Sequence, residues 1–238
     1  MKVLMIIPAY NEEESILNTV MSIVEYRKKV DFDLDYVVIN DGSVDRTKEI
    51  LDNHHLNAIH LVMNLGIGGA VQTGYKYALE KNYDVAVQFD GDGQHDIESL
   101  DALLEPIRRQ QADLVVGSRF IGDKSSEFQT TFMRRFGITI ISAFIKLTTG
   151  KRILDTTSGY RLANRDIIRQ FAARYPIKYP EPESIVHILK RKYKVVEEPA
   201  NMFERAGGVS SITPIKSIRY MIEVCSSILI AAFMKESE

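Results

Sequence analysis

Apolar residues in this chain gather in short unbroken runs, and each run gives way to a polar cluster. Val3–Ile7 is the first. A strand that is apolar at every position has both faces buried, which is the habit of parallel sheets rather than of half-solvated antiparallel ones. The same pattern places strands at Tyr36–Ile39, Ile59–Val62, Val85–Phe89 and Leu114–Val116. Between them the spacing turns helical, as at Ile16, Val20, Ile23 and Val24. Asn11 is placed to cap that helix, and Glu12-Glu13-Glu14 to fill its first turn. A further helix is expected over Glu183–Lys192. Alternating strands and helices predict an α/β fold with an open, mostly parallel sheet flanked by helices. Sheets of this kind bind ligands in the crevice beyond the carboxyl ends of their strands.

The polar clusters all follow strands: Pro8–Glu12, then Asn40–Ser43 with Asp45-Arg46-Thr47, then Asn64, and Gly117-Ser118-Arg119. The richest is Gln-Phe-Asp-Gly-Asp-Gly-Gln-His-Asp at Gln88–Asp96. Glycines there allow a sharp turn and close approach of a ligand. Two carboxylates one residue apart, Asp90 and Asp92, repel unless a cation sits beside them. Mg²⁺ or Mn²⁺ meets that demand with hard oxygen ligands and a shell completed by substrate phosphates. The plainer alternative is a solvated turn with Asp96 capping the next helix. Gly66-x-Gly68 follows a strand but lacks the third glycine of a dinucleotide fingerprint, and no Gly-Lys-Ser/Thr phosphate loop occurs.

Composition narrows the class. The 238 residues are 45% hydrophobic and 26% charged, enough for one large α/β domain with an appended arm. A net charge of -2 gives no basic excess for nucleic acid. The single cysteine, Cys225, excludes an internal disulfide framework and suits a reducing compartment. The N-terminus reads as a strand rather than a signal peptide, and no apolar stretch reaches spanning length, so a cytoplasmic protein is expected.

Several motifs in order resemble glycosyltransferase family 2: Pro8-Ala9-Tyr10-Asn11-Glu12, Asn40–Thr47, Asn64-x-Gly66, Asp90–His95, Gly117-Ser118-Arg119-Phe120, Ser158-Gly159-Tyr160-Arg161, and Glu204-Arg205-x-Gly207 with Ser210. Within that family the likeness is to the dolichyl- or undecaprenyl-phosphate sugar synthases, and it covers about Val3 to Ser211. The resemblance implies a GT-A-type catalytic domain over 1–211, with 212–238 as a membrane-interface or oligomer arm. It implies that Pro8, Tyr10, Glu12, Asp41, Asn64 and Gly66 line the nucleotide, a UDP-sugar being favoured. Asp90 and Asp92 would hold Mg²⁺ or Mn²⁺, with Gln94 nearby. Arg119, Arg135, Thr139, Arg205 and Ser210 would face a polyprenyl phosphate acceptor. Transfer with inversion at the cytoplasmic membrane face, for cell-surface glycan assembly, is the implied activity. The chain departs from the pattern at Asp96, where a proline is usual, and lacks the C-terminal transmembrane helices of many relatives. Peripheral attachment, helped by a small membrane-protein partner or a second copy, is therefore expected.

The chemistry agrees with that reading. A phosphate acceptor is already ionised and needs arginines, of which Arg119, Arg134, Arg135, Arg161 and Arg205 are candidates. A saccharide hydroxyl would need a carboxylate base, for which Asp155 is first choice ahead of Glu181 and Glu183. A non-catalytic nucleotide-sugar-binding module is the third possibility. His54, His55 and His60 read as surface residues and His187 as structural, while His95, beside the acidic cluster, reads either as structural or as a contact to diphosphate. Two stretches, Phe132–Leu147 and Ile212–Met234, carry apolar faces edged by basic residues that suit the lipid interface, or else a core or dimer contact.

Overall fold

A computed structural model describes residues 1–121, 132–203 and 214–233, and the side chains of all of these except 132–134 and 214–220. Its centre is a seven-stranded sheet in the order β3-β2-β1-β4-β6-β5-β7. The strands are β1 (Lys2–Ala9), β2 (Asp33–Asn40), β3 (Ala58–His60), β4 (Val85–Gln88), β5 (Leu114–Ser118), β6 (Arg161–Asn164) and β7 (Val195–Pro199). All pairs are parallel except those of β6, which runs antiparallel to both β4 and β5. The helices are α1 (Ile16–Arg27), α2 (Thr47–Asn53), α3 (Gly66–Glu80), α4 (Leu100–Arg108), α5 (Phe132–Thr149), α6 (Arg165–Ala173), α7 (Pro180–Lys190) and α8 (Pro214–Phe233).

The first strand shows why the pattern was readable. Leu4 and Ile6 enter one core, with residues of α3, α5, α6, α7 and α8, while Val3, Met5 and Ile7 enter the other, with α1 and α4. All five are fully buried, as a doubly covered strand requires. The chain then winds outward in both directions from β1, to β2 on one side and β4 on the other. Diverging crossovers open a crevice at the carboxyl ends of those two strands, the switch point where such sheets bind ligands. Register puts Ala9 beside Asn40 and Ile6 beside Gln88, so the polar clusters after β1, β2 and β4 meet there.

Local expectations needed four adjustments. α1 begins at Ile16, because Glu12–Ser15 forms a turn in which Ser15 and Ile16 both donate to Glu12 O. Asn11 lies at φ 56 and accepts from Val44 N–H, joining two loops rather than capping a helix. β3 ends at His60, and Val62 beyond it is fully exposed. α7 starts at Pro180, where a proline at the first helical position loses no hydrogen bond. Asp96 does cap the single 3-10 turn after the acidic cluster, accepting from Glu98 N–H.

α8 joins the main core through Val224, Ile228 and Ala231. Its opposite face leaves Ile222, Ile230 and Phe233 exposed. Among the described residues, no helix is long and apolar enough to cross a membrane.

Candidate active site

The crevice is a cleft of ≈ 490 Å³. Its walls come from the ends of β1, β2 and β4, the N-terminus of α3, the loop before β6 and the start of α7. Pro8, Tyr10, Glu12, Asp41, Asn64 and Gly66 all line it, as do Asp90 and Asp92. Residues scattered over more than eighty positions thus converge because each follows a strand or opens a helix on the same sheet edge.

The wall formed by the ends of β1 and β2 and the start of α3 is knitted by hydrogen bonds to backbone groups. Asp41 is buried; its N–H donates to Ala9 O at 2.9 Å and its Oδ1 accepts from Leu65 N–H at 2.7 Å. Gly42 sits at φ +69, and a Cβ there would lie 2.9 Å from Asn64 N, so glycine is required. Asn64 Oδ1 accepts from Gly66 N–H at 3.0 Å, shaping the entry to α3. Asp45 braces the neighbouring loop. Burial works against its charge, yet hydrogen bonds from Thr47 and the Glu13 N–H hold its carboxyl below the usual range.

Electrostatically the cleft is one-sided. Glu12, Asp41, Asp90, Asp92 and Glu181 line it, and no lysine or arginine does so among the described residues. Burial opposes ionisation of Asp90, but His95, Gln88 and Arg119 outweigh it and keep the carboxyl below its ordinary value. Glu181 goes the other way. Burial raises it, Arg161 offsets part of the rise, and the charge of Asp90 adds to it. The buried amide of Gln88 favours the ionised form of both carboxylates.

No group of three or more His, Cys, Asp or Glu cages a metal by itself among the described residues. Asp90 and Asp92 are instead a pair of hard oxygen donors opening on a cavity that can admit a diphosphate. That donor set fits Mg²⁺ or Mn²⁺ with phosphate and water completing the shell. Gln94 adjoins the pair: its N–H donates to Asp92 Oδ1 at 3.1 Å and its Nε2 to Phe203 O at 3.4 Å, although it is not among the residues lining the cleft. His95 is no diphosphate ligand. Its side chain is only 3% exposed, and it lies beneath Asp90 with Nε2 at 3.0 Å from Oδ2.

Two residues given separate roles from sequence turn out to bind each other. Arg119 Nε and Nη2 donate to Asp155 Oδ2 and Oδ1 at 2.8 and 2.6 Å, and the Arg119 N–H adds a third bond at 3.0 Å. Asp155 is fully buried, so it holds Arg119 and is not positioned as a base for a substrate hydroxyl. The guanidinium of Arg119 also donates to Thr157 Oγ1, a cleft residue, and lies 5.7 Å from the centre of the Phe120 ring. Arg135 covers the same ring at 5.8 Å and is exposed. Thr157, Arg119, Phe120 and Arg135 therefore form a continuous path from the cleft to α5. Thr139, one turn further along α5, donates its hydroxyl to Arg135 O. Arg161 is no phosphate ligand. It is fully buried and donates to the carbonyls of Thr156, Ser158 and Glu181 and to Ser184 Oγ. Arg205 and Ser210 lie outside the described residues, as does the side chain of Arg134.

The family model of glycosyl transferase family 2 matches residues 5–171, from β1 through α6. The chain belongs to glycosyl transferase family 2. Among its relatives, an undecaprenyl-phosphate mannosyltransferase of Micrococcus luteus is 35% identical over 71% of this chain and 69% of its own. A UDP-N-acetylglucosamine–dolichyl-phosphate N-acetylglucosaminyltransferase of Methanococcus voltae is 30% identical over 82% of this chain and 83% of its own. A polyprenol monophosphomannose synthase of Mycolicibacterium smegmatis is 27% identical over 89% of this chain and 81% of its own. The fold is that of glucosyl-3-phosphoglycerate synthase from Mycobacterium tuberculosis, solved with Mn²⁺, UDP-glucose and phosphoglyceric acid. That likeness has a TM-score of 0.70 at 16% identity and covers 99% of this chain and 81% of that one. The GT-A architecture expected from the family 2 motifs is therefore present. Ile67, Ala70, Thr157, Gly159 and Glu181 also line the cleft without having been assigned there from sequence, although Glu181 was weighed as a base.

Proposed function

We propose that this family 2 chain transfers a sugar from a nucleoside diphosphate sugar, UDP being the favoured nucleotide, to a polyprenyl phosphate. The observation that carries the donor half is the charge of the cleft. A diphosphate cannot enter a wall of Glu12, Asp41, Asp90, Asp92 and Glu181 without a cation between. Asp90 and Asp92 would hold that cation, and when bound it neutralises the leaving diphosphate. Pro8, Tyr10 and Asp41 would position base and ribose, and Asn64 and Gly66 would lie at the open N-terminus of α3, where N–H groups favour anions.

The acceptor half is supported by the relatives, whose names record undecaprenyl, dolichyl and polyprenol phosphates. A phosphate monoester is mostly ionised at neutral pH, so its oxygen attacks the anomeric carbon without losing a proton to the protein. The old bond to the diphosphate breaks as the new one forms, and one displacement inverts the centre. Arg135, which makes no ion pair among the described residues, would meet the acceptor at the end of the Thr157–Arg119–Phe120 path. The exposed apolar face of α8 supports peripheral contact with a membrane, where such an acceptor resides.

Glu181 favours a second reading. A carboxyl in the cleft with a raised pKa is suited to take a proton from a saccharide hydroxyl. Nucleotide release across a panel of UDP- and GDP-sugars separates the two. Release that rises sharply on adding undecaprenyl phosphate supports the lipid acceptor, and release driven only by free saccharides supports the other.

A further inference from the structure

The carboxylate of Asp90 sits in a socket made by two residues, of which Gly159 lines the cleft and His95 does not. On one side is His95. A carboxylate only accepts, so the 3.0 Å contact is a bond from the Nε2–H of His95 to Asp90 Oδ2. The other ring nitrogen, Nδ1, is buried without a hydrogen-bond partner among the described residues. The imidazole packs between Phe89 and Tyr160, with ring centres 5.4 and 5.0 Å away, and those two rings meet edge to face. The backbone of His95 is bridged to Met202, and Phe203 N–H donates to Gln94 O, so the ring cannot swing out.

On the other side is Gly159. A Cβ at this position would lie 2.3 Å from Asp90 Oδ2 and 2.8 Å from Oδ1, closer than real atoms approach. The loop carrying it is anchored by the buried Arg161, which binds the carbonyls of Thr156 and Ser158 just before it. Asp90 thus has one oxygen tied by an N–H and its face held against a bare Cα. A carboxylate that must bind a cation in one orientation needs such outer contacts, and their loss typically weakens metal binding about 10–100-fold.

We propose that His95 and Gly159 are a positioning pair that sets the orientation of the Asp90 carboxylate for a divalent cation. This rests on the reading of Asp90 and Asp92 as the cation's ligands. The test is calorimetric titration of Mn²⁺ alone into the purified full chain. Wild type, His95→Phe, His95→Gln, Gly159→Ala and Asp92→Asn are compared, with circular dichroism to check the fold. Phe keeps the ring between Phe89 and Tyr160 but removes the donor, while Gln restores an N–H. His95→Phe and Gly159→Ala should each bind Mn²⁺ about 10–100-fold more weakly, with His95→Gln between them and wild type. If His95→Phe does not fold, Gly159→Ala and His95→Gln decide. Wild-type affinity in folded His95→Phe and Gly159→Ala, with binding lost in Asp92→Asn, would overturn the positioning role alone. Absence of Mn²⁺ binding in the wild type would overturn the cation site and the inference with it.

Discussion

Arg119 and Asp155 form a buried, two-pronged ion pair, with Nη2 2.6 Å from Oδ1 and Nε 2.8 Å from Oδ2. Their side chains are 6% and 0% exposed. Removing one member of such a pair leaves a buried charge without its partner, which costs about 3–5 kcal/mol. Asp155→Ala should therefore lower the unfolding free energy by about that amount in a denaturant titration. The double variant Arg119→Met, Asp155→Leu should recover part of the loss, since no lone charge remains. A loss below about 1 kcal/mol in the single variant would show that Asp155 does not hold Arg119 and would return it to the list of bases.

Glu181 supplies a pH-dependent prediction. Burial raises its pKa in the folded chain, so folding favours the neutral acid. That contribution is full below the ordinary value of 4.5 and is lost as pH rises through the raised folded value. At neutral pH the ionised carboxylate is therefore a cost that Glu181→Gln removes. The variant should melt above wild type at pH 7, and the gap should close as the pH falls toward 4.5. Turnover with a phosphate acceptor should survive within about tenfold, whereas loss of a true base costs about 10²–10⁴-fold. A variant that melts lower than wild type at pH 7 would contradict the sign.

The outer face of α8 should matter for lipid and not for folding. Ile222, Ile230 and Phe233 are 63%, 59% and 82% exposed, while Val224, Ile228 and Ala231 face the core. The protein should pellet with anionic liposomes at low salt and be released as salt screens its basic residues. Ile222→Asp with Ile230→Asp should reduce pelleting strongly while leaving the melting temperature within about 3 °C, because neither residue supports the core. Equal pelleting by both proteins would remove α8 from the membrane contact.

Much of the sheet was legible because its central strands declare themselves. Val3–Ile7 is apolar at every position since helices cover both faces. β6 and β7 were not readable. Arg161–Asn164 offers only Leu162 and Ala163 as apolar residues, and its antiparallel pairing with β4 and β5 depends on neighbours distant in the chain. Val195–Pro199 has two apolar residues followed by acids. The site divides along the same line. Pro8, Asp41 and Asp90 could be grouped because each lies at or just past the carboxyl end of a strand, and parallel strands end at one edge. The Arg119–Asp155 pair, 36 residues apart, and the place of Glu181 at the start of α7 arise from packing that no local pattern carries. His60 shows the same limit. Expected at the surface, it is half-buried between Asn40 and Asp52.

The central claim is that the sugar leaves the nucleotide for a lipid phosphate. Purified chain, Mn²⁺, undecaprenyl phosphate in mixed micelles and a panel of radiolabelled nucleotide sugars can be incubated and extracted into organic solvent. The account predicts label in the organic phase for one donor, absent without Mn²⁺ and absent with Asp92→Asn. Nucleotide release with all label retained in water, on a soluble saccharide or phosphate acceptor, would contradict it.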